Sequence, residues 1–189
     1  MEAWVFKALA RWPNVPHLYG WLRLDRRGRW LIRGSIVTRQ QIIDTINPNY
    51  AADERGCWYF QNGPQRGYVT LDYTPLTLRS TPDGQLYTHT GQRVTQVRDA
   101  WLDENSALTL TTEHGPGVVE DNSLDWVLAR LLDEHSHPPE ADALEAALTR
   151  ASGQASGLWL HFDETSILLQ RCDAADLPAR IGFVREPQP

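Results

Sequence analysis

The chain has 189 residues, enough for one ordinary domain or for two small lobes. Hydrophobic residues make up 41% and charged residues 22%, which excludes a disordered or fibrous chain. The net charge of −6 is unevenly spread: residues 1–95 hold 12 basic and 7 acidic side chains, and residues 96–189 hold 6 and 17.

The bases are almost all arginine, Lys7 being the one lysine, which reads as the coding bias of a GC-rich genome. Apolar bursts such as "AWVF" and "GLWL" are far shorter than the roughly 20 residues of a membrane span. The start, "MEAWVFKALARW", lacks the basic, apolar and small-residue order of an export signal. A soluble, cytoplasmic protein without membrane contact is the expectation. Cys57 and Cys172 stand far apart with no CxxC pair, so both are expected to be reduced.

In chain order, Trp4, Ala8 and Trp12 are spaced four apart and predict a helix over residues 2–12, ended by Pro13 and Pro16. "GWLRLDRRGRWLIRG" predicts a hairpin turning at Asp25–Gly28. Thr38 reads as the N-cap of a helix over "RQQIIDTI", with Gln41 completing a capping box and Asn47-Pro48 ending it. "WYFQNGPQRGYVTL" then gives strand, turn and strand, its turn assigned to Asn62-Gly63. "PLTLRS" and "QLYTHTG" form another hairpin about Pro82-Asp83-Gly84. A further hairpin covers "DAWLDENSALTLTTEHGPGVV". Ser123 would cap a helix over "LDWVLARLLDEH", and a second helix spans about 140–151 after Pro138-Pro139. "GLWLHFDETSILLQR" closes the chain with strand, turn and strand.

The layout repeats. Leu24-Asp25 matches Leu102-Asp103, and Trp30-Leu31-Ile32 matches Leu108-Thr109-Leu110. Gly56 and Gly157 precede Trp58 and Trp159 at one spacing. The fold class expected is therefore α+β, built of antiparallel hairpins with a few helices and two related β-β-α-β-β lobes. The organisation expected is an N-terminal helix and connector over 1–19, a first β-rich lobe over 20–99, and a second with two helices over 100–189. "LDRRGRWLIRG", "YFQNGPQRGYVTLDYTPLTLR" and "GQLYTHTG" resemble uncharacterised conserved bacterial proteins, a domain-of-unknown-function family, over roughly residues 10–130. That resemblance implies a bacterial, soluble, β-rich protein and assigns no activity, ligand or catalytic residue.

For function, the hairpin at "FQNGPQR" is the first candidate. Gln65 and Arg66 stand at its tip, with Tyr59 and Tyr68 as an aromatic rim and Gln61 and Asn62 beside them. Turn geometry alone accounts for much of that spelling. The arginines 23, 26, 27, 29 and 33 raise nucleic-acid or phosphate binding, against which stand the acidity of the chain and Asp25 within the turn. "DEHSH" offers His135, His137 and Asp133 to a metal, but its place at the predicted end of a helix explains the histidines by the helix dipole, so no metal and no cofactor is expected. Carboxylates at Asp103-Glu104, Glu120-Asp121 and Asp163-Glu164 read as solvated turn residues. The eight tryptophans read mainly as core. The function expected is a non-enzymatic module that binds a small molecule or a protein. The alternative is a hydrolase drawing on His89, His114 or His161 with turn carboxylates. A homodimer through "LDWVLARLLDEH" requires Trp126 and Leu132 to be exposed.

Overall fold

The computed structural model describes residues 1–12 and 15–189, so the helix stop expected at Pro13 lies outside the described residues. Its contacts divide the chain into two units, Met1–Pro75 with Gly182–Pro189, and Leu76–Ile181. The fold is α+β, with each unit carrying one sheet.

In the first unit, α1 (Ala3–Arg11) precedes β1 (Leu18–Leu24), β2 (Trp30–Ile32) and β3 (Ser35–Ile36). Helix α2 (Gln40–Ile46) runs into a 3-10 turn, Asn47–Asn49, and then into β4 (Tyr50–Ala52), β5 (Trp58–Asn62) and β6 (Gln65–Leu71). The six-stranded sheet has the order β3-β2-β1-β6-β5-β4. Each half is an antiparallel meander, but β1 and β6 join them in parallel, with Leu22 opposite Val69 and Leu24 opposite Leu71. Alternation puts Leu22, Leu24, Trp30, Trp58, Phe60 and Val69 into buried positions, so the apolar runs of the sequence become the core. The last residues return to this unit: the Val184 amide donates to the Gly56 carbonyl, and the Leu71 amide to the Arg185 carbonyl.

The second unit opens with a meander of β7 (Leu76–Ser80), β8 (Leu86–Thr88) and β9 (Arg93–Val94). Then come β10 (Val97–Leu102), β11 (Leu108–Thr112), β12 (Gly115–Val119), α3 (Leu124–Leu128), β13 (Leu131–Leu132), α4 (Ala141–Thr149), β14 (Ala155–Phe162), β15 (Thr165–Arg171) and α5 (Leu177–Ile181). The nine-stranded sheet has the order β13-β14-β15-β10-β11-β12-β7-β8-β9. Read from β12 to β13, its first six strands follow the order of the first unit, with β10 and β15 as the parallel pair. In both sheets the junction is sealed alike: Asp72 donates its amide to the Leu24 carbonyl, and Cys172 to that of Leu102.

The contacts divide the chain at Pro75–Leu76, where β7 pairs in parallel with β12 and carries its meander into the second sheet. Several expectations are corrected. Arg39, not Thr38, stands at the N-cap of α2, and no side chain caps it. The helix at 124 is one turn and a half; beyond it Leu131 pairs with Leu160 and Leu132 with Trp159 as a strand. Trp4 and Trp12 are exposed, and Val5 is the buried residue of α1. Trp126 is buried, donating from its indole to the Gly84 carbonyl and packing on Phe162, so it is not an open dimer surface.

One turn recurs six times: Asp25–Arg29, Asp53–Cys57, Thr81–Gln85, Thr88–Gln92, Asp103–Ala107 and Asp133–His137. In each, the first amide donates to the fifth carbonyl and the fourth amide to the first carbonyl. The fourth residue has positive φ, a glycine in four turns and Ser106 or Ser136 in the others. This is the three-residue hairpin loop closed by a bulge, whose left-handed corner favours glycine. "DEHSH" is therefore a strand turn, not a helix end. The Asp133 carboxylate accepts the His135 and His137 amides, which holds it below the usual carboxylate range. Asp103 likewise accepts the Asn105 and Ala107 amides, and it is buried, not solvated.

Candidate functional site

The parallel β1–β6 pairing decides what lies beside the "FQNGPQR" hairpin. Strands β5 and β6 pair Tyr59 with Tyr68, Gln61 with Arg66 and Asn62 with Gln65. The two-residue turn is Gly63-Pro64, with Gly63 at φ 59, and Asn62 ends the strand. Proline excludes a second positive φ, so the turn follows the II′ pattern, not the Asn-Gly I′ pattern expected.

Period two splits the candidate residues between opposite faces. Tyr59, Gln61, Arg66 and Tyr68 share one face, while Asn62 and Gln65 share the other. On the first face Tyr19 of β1 stacks on Tyr68, with centroids 4.7 Å apart and planes at 5°. Tyr59 meets Tyr68 in an edge contact at 5.9 Å, and His17 sets its ring edge-on to Tyr68 at 5.6 Å. Cys57, Ala51 and Val184 complete this cluster. The tyrosines are thus not an open rim: Tyr59 is 4% exposed and Tyr68 3%.

Arginines cover them. The Arg66 guanidinium lies 4.4 Å above the Tyr59 ring centroid, and Arg55 lies 5.9 Å from that of Tyr68. Gln61 explains the first pose. It is fully buried, its Nε2 donates to the Gly63 carbonyl, and its Oε1 accepts from Arg66 Nε at 3.2 Å. No carboxylate among the described residues ion-pairs with Arg66. Asp53 explains the second pose. Its Oδ1 accepts the Arg55 and Cys57 amides at 2.9 Å each, and its Oδ2 accepts the Tyr68 hydroxyl at 3.0 Å and faces Arg55 Nε at 3.5 Å.

A cleft of about 560 Å³ opens above this floor, lined by His17, Asp53, Glu54, Arg55, Tyr59, Arg66 and Tyr68. Burial pushes Asp53 upward, but the Cys57 amide, the Tyr68 hydroxyl and Arg55 outweigh it and hold the carboxyl below its usual range. Burial, then the Asp53 carboxylate, pushes the Cys57 thiol up, so it stays protonated. Burial raises Tyr68 as well. The Tyr68 and Tyr19 hydroxyls hold Arg55 firmly charged. The site therefore offers fixed cations on an aromatic floor and no activated nucleophile.

The sequence did not point to His17, Tyr19, Asp53, Glu54 or Arg55. The one local signal was "DERGC", whose Asp and Gly spacing copies "DRRGR" at Asp25. Asn62 and Gln65 line a separate recess of about 280 Å³ on the opposite face. The hydrolase reading finds no support in the named histidines. His89 Nδ1 accepts the Thr77 amide, His114 Nε2 lies 2.8 Å from the Arg93 carbonyl at a hairpin tip, and His161 is exposed beside Ser166. Among the described residues, no three His, Cys, Asp or Glu side chains gather as a metal set, and no helix is long and apolar enough to cross a membrane.

The fold, then, defines an α+β protein of two units, each with one sheet in which a parallel pair joins two antiparallel meanders. The family described as "Protein of unknown function (DUF2946)" matches residues 1–188, and the chain belongs to that family. Among solved structures, a DUF1285 family protein from Silicibacter pomeroyi is similar, with 11% identity and a TM-score of 0.54 over 87% of this chain and 86% of that one. A DUF1285 family protein from Shewanella baltica matches 55% of this chain and 86% of its own at 13% identity and a TM-score of 0.42. The first likeness is one of fold. No curated protein matches.

Proposed function

We propose that this chain is a non-enzymatic binding module of a bacterium, and that its ligand is a small anion, carboxylate or phosphate, held in the arginine–tyrosine cleft of the first unit. The observation that carries this reading is Arg66. Its guanidinium is posed by a buried glutamine and a tyrosine ring, yet it has no carboxylate partner among the described residues. A planar cation fixed in that way presents its remaining N–H donors with little rotamer entropy left to lose. Arg55 adds a second cation, and Asp53 sets its pose. Tyr59, Gln61, Arg66 and Tyr68 thus act at the cleft, while Asn62 and Gln65 face elsewhere.

The cytoplasm is the setting this reading takes, in keeping with two free, buried cysteines. The common strand order of the two sheets supports an internal duplication of a three-strand, helix, three-strand element. In that reading the tip Gly63-Pro64 corresponds to Asp163-Glu164, and the cationic cleft belongs to one copy alone.

The test is a thermal-shift panel of carboxylate and phosphate metabolites on wild type and Arg66→Met. A compound that raises the melting temperature of wild type, but not of the variant, is the expected outcome. A panel without such a compound, or equal shifts in both proteins, would contradict the reading.

A further inference from the structure

We propose that the opposite face of the same hairpin carries a second site, for an aliphatic carboxylate whose head lies beside Arg33, Asn62 and Gln65 and whose chain enters the recess between α2 and β5. This site does not rest on the cleft.

Two recesses meet there. The polar one, about 280 Å³, is lined by Leu18, Tyr19, Trp21, Arg33, Asn62, Gln65 and Gly67. The more apolar one, about 390 Å³, is walled by Ile32, Ile42, Ile46 and Phe60, with Gln41 and Thr45 of α2 at its side. Trp21 and Asn62 line both, so the recesses adjoin. Each volume is near the lower end for small-molecule sites, and together they suit an elongated ligand better than a compact one.

The chemistry differs along that length. Arg33 stands in the tight turn between β2 and β3 at φ 49, followed by Gly34 at φ 81. Its guanidinium has no hydrogen-bond or ion-pair partner among the described residues. Asn62 and Gln65, directly opposite each other at the hairpin end, line the same recess, with Gln65 Nε2 held by a hydrogen bond it donates to the Pro16 carbonyl at 3.3 Å. The neighbouring walls are mainly apolar, with Ile42 and Ile46 of α2 and Phe60 of β5 lining one recess. A cation beside two side-chain amides at one end and a mainly apolar recess at the other suits a carboxylate with an alkyl tail.

Trp21 forms the shared wall and carries the second, independent sign. Its Nε1 is buried without a hydrogen-bond partner. The ring lies flat across Gly67, where a Cβ would approach Cζ2 to 2.6 Å and Nε1 to 3.1 Å. A buried indole N–H without an acceptor is costly. A ligand oxygen in the polar recess, with a small shift of the ring, supplies the missing acceptor.

The test is calorimetric titration of the full chain with hexanoate, octanoate and decanoate. Expected is saturable one-to-one binding that tightens with chain length, by up to about fourfold per methylene. Arg33→Asn, which tolerates the turn's positive φ, should weaken decanoate roughly tenfold. Ile42→Trp should fill the apolar recess and abolish binding, while Arg66→Ala should leave it within about twofold. No heat with decanoate would overturn the proposal, as would equal affinity for hexanoate and decanoate. Wild-type affinity in Arg33→Asn would overturn it too, and loss in Arg66→Ala would place the fatty anion in the cleft instead. If Ile42→Trp fails to fold, the chain-length series and Arg33→Asn decide.

Discussion

Gly67 shows how one absent methyl group shapes a face of the first sheet. A Cβ there would meet the Trp21 ring at 2.6 Å, so Gly67→Ala must displace the indole. The expected loss is roughly 1–3 kcal/mol by urea denaturation, the usual range for overpacking. An unchanged midpoint would mean the ring is not seated where it is described. Asp53 gives a pH-dependent counterpart. Its folded pKa lies below the ordinary 3.8, so it stabilises the fold at neutral pH, and that stability is lost as pH falls through the depressed value. Asp53→Asn should therefore be less stable than wild type near neutrality and converge with it as pH falls below the depressed value. A gap that is constant with pH would contradict this assignment. At this scale the sequence was legible where alternation alone decides: Tyr59 with Gln61 on one face follows from period two. Tyr19 and Arg55 were not legible, because a parallel pairing between β1 and β6 and a separate turn bring them to Tyr68.

Among the elements, the repeated Asp turn carries the clearest energetic contrast. Asp103 is buried and accepts two backbone amides, so Asp103→Ala leaves buried donors unmet and should cost about 2–3 kcal/mol. Asp133 makes the same bonds in an exposed turn, and Asp133→Ala should cost about 0.5–1 kcal/mol. Equal losses in chemical denaturation would show that burial does not separate them. Ser106 and Ser136 occupy the left-handed corner that glycine fills elsewhere. Ser106→Gly should therefore raise stability, by up to about 1 kcal/mol. Ser136 also explains a misreading: without glycine, "DEHSH" does not spell a turn, and an apolar run before it reads as helix. The hairpins themselves were legible, since Gly28, Gly84 and the alternating strands beside them follow local rules.

The whole chain divides where local rules stop. Counting hairpins places the residues of β7–β9 with what precedes them, yet β12 pairs with β7 in parallel across about forty residues of sequence. Gly117 makes that pairing close, since a Cβ there would come within 2.8 Å of Leu78. The fragment Leu76–Ile181 holds the complete nine-stranded sheet and should unfold cooperatively on its own, whereas a fragment of residues 100–189 strips β7 from β12, leaves that edge open and should not. The reverse result in thermal melts would move the boundary back. What the molecule does turns on the arginine–tyrosine cleft. The most direct measurement follows the arginine Nε–H resonances by NMR during titration with succinate and with inorganic phosphate. Arg66 and Arg55 should shift saturably with at least one of them, while Arg79, ion-paired to Glu120 in the second unit, stays fixed. No saturable shift at Arg66, or the same shift at every arginine, would contradict an anion site at that cleft.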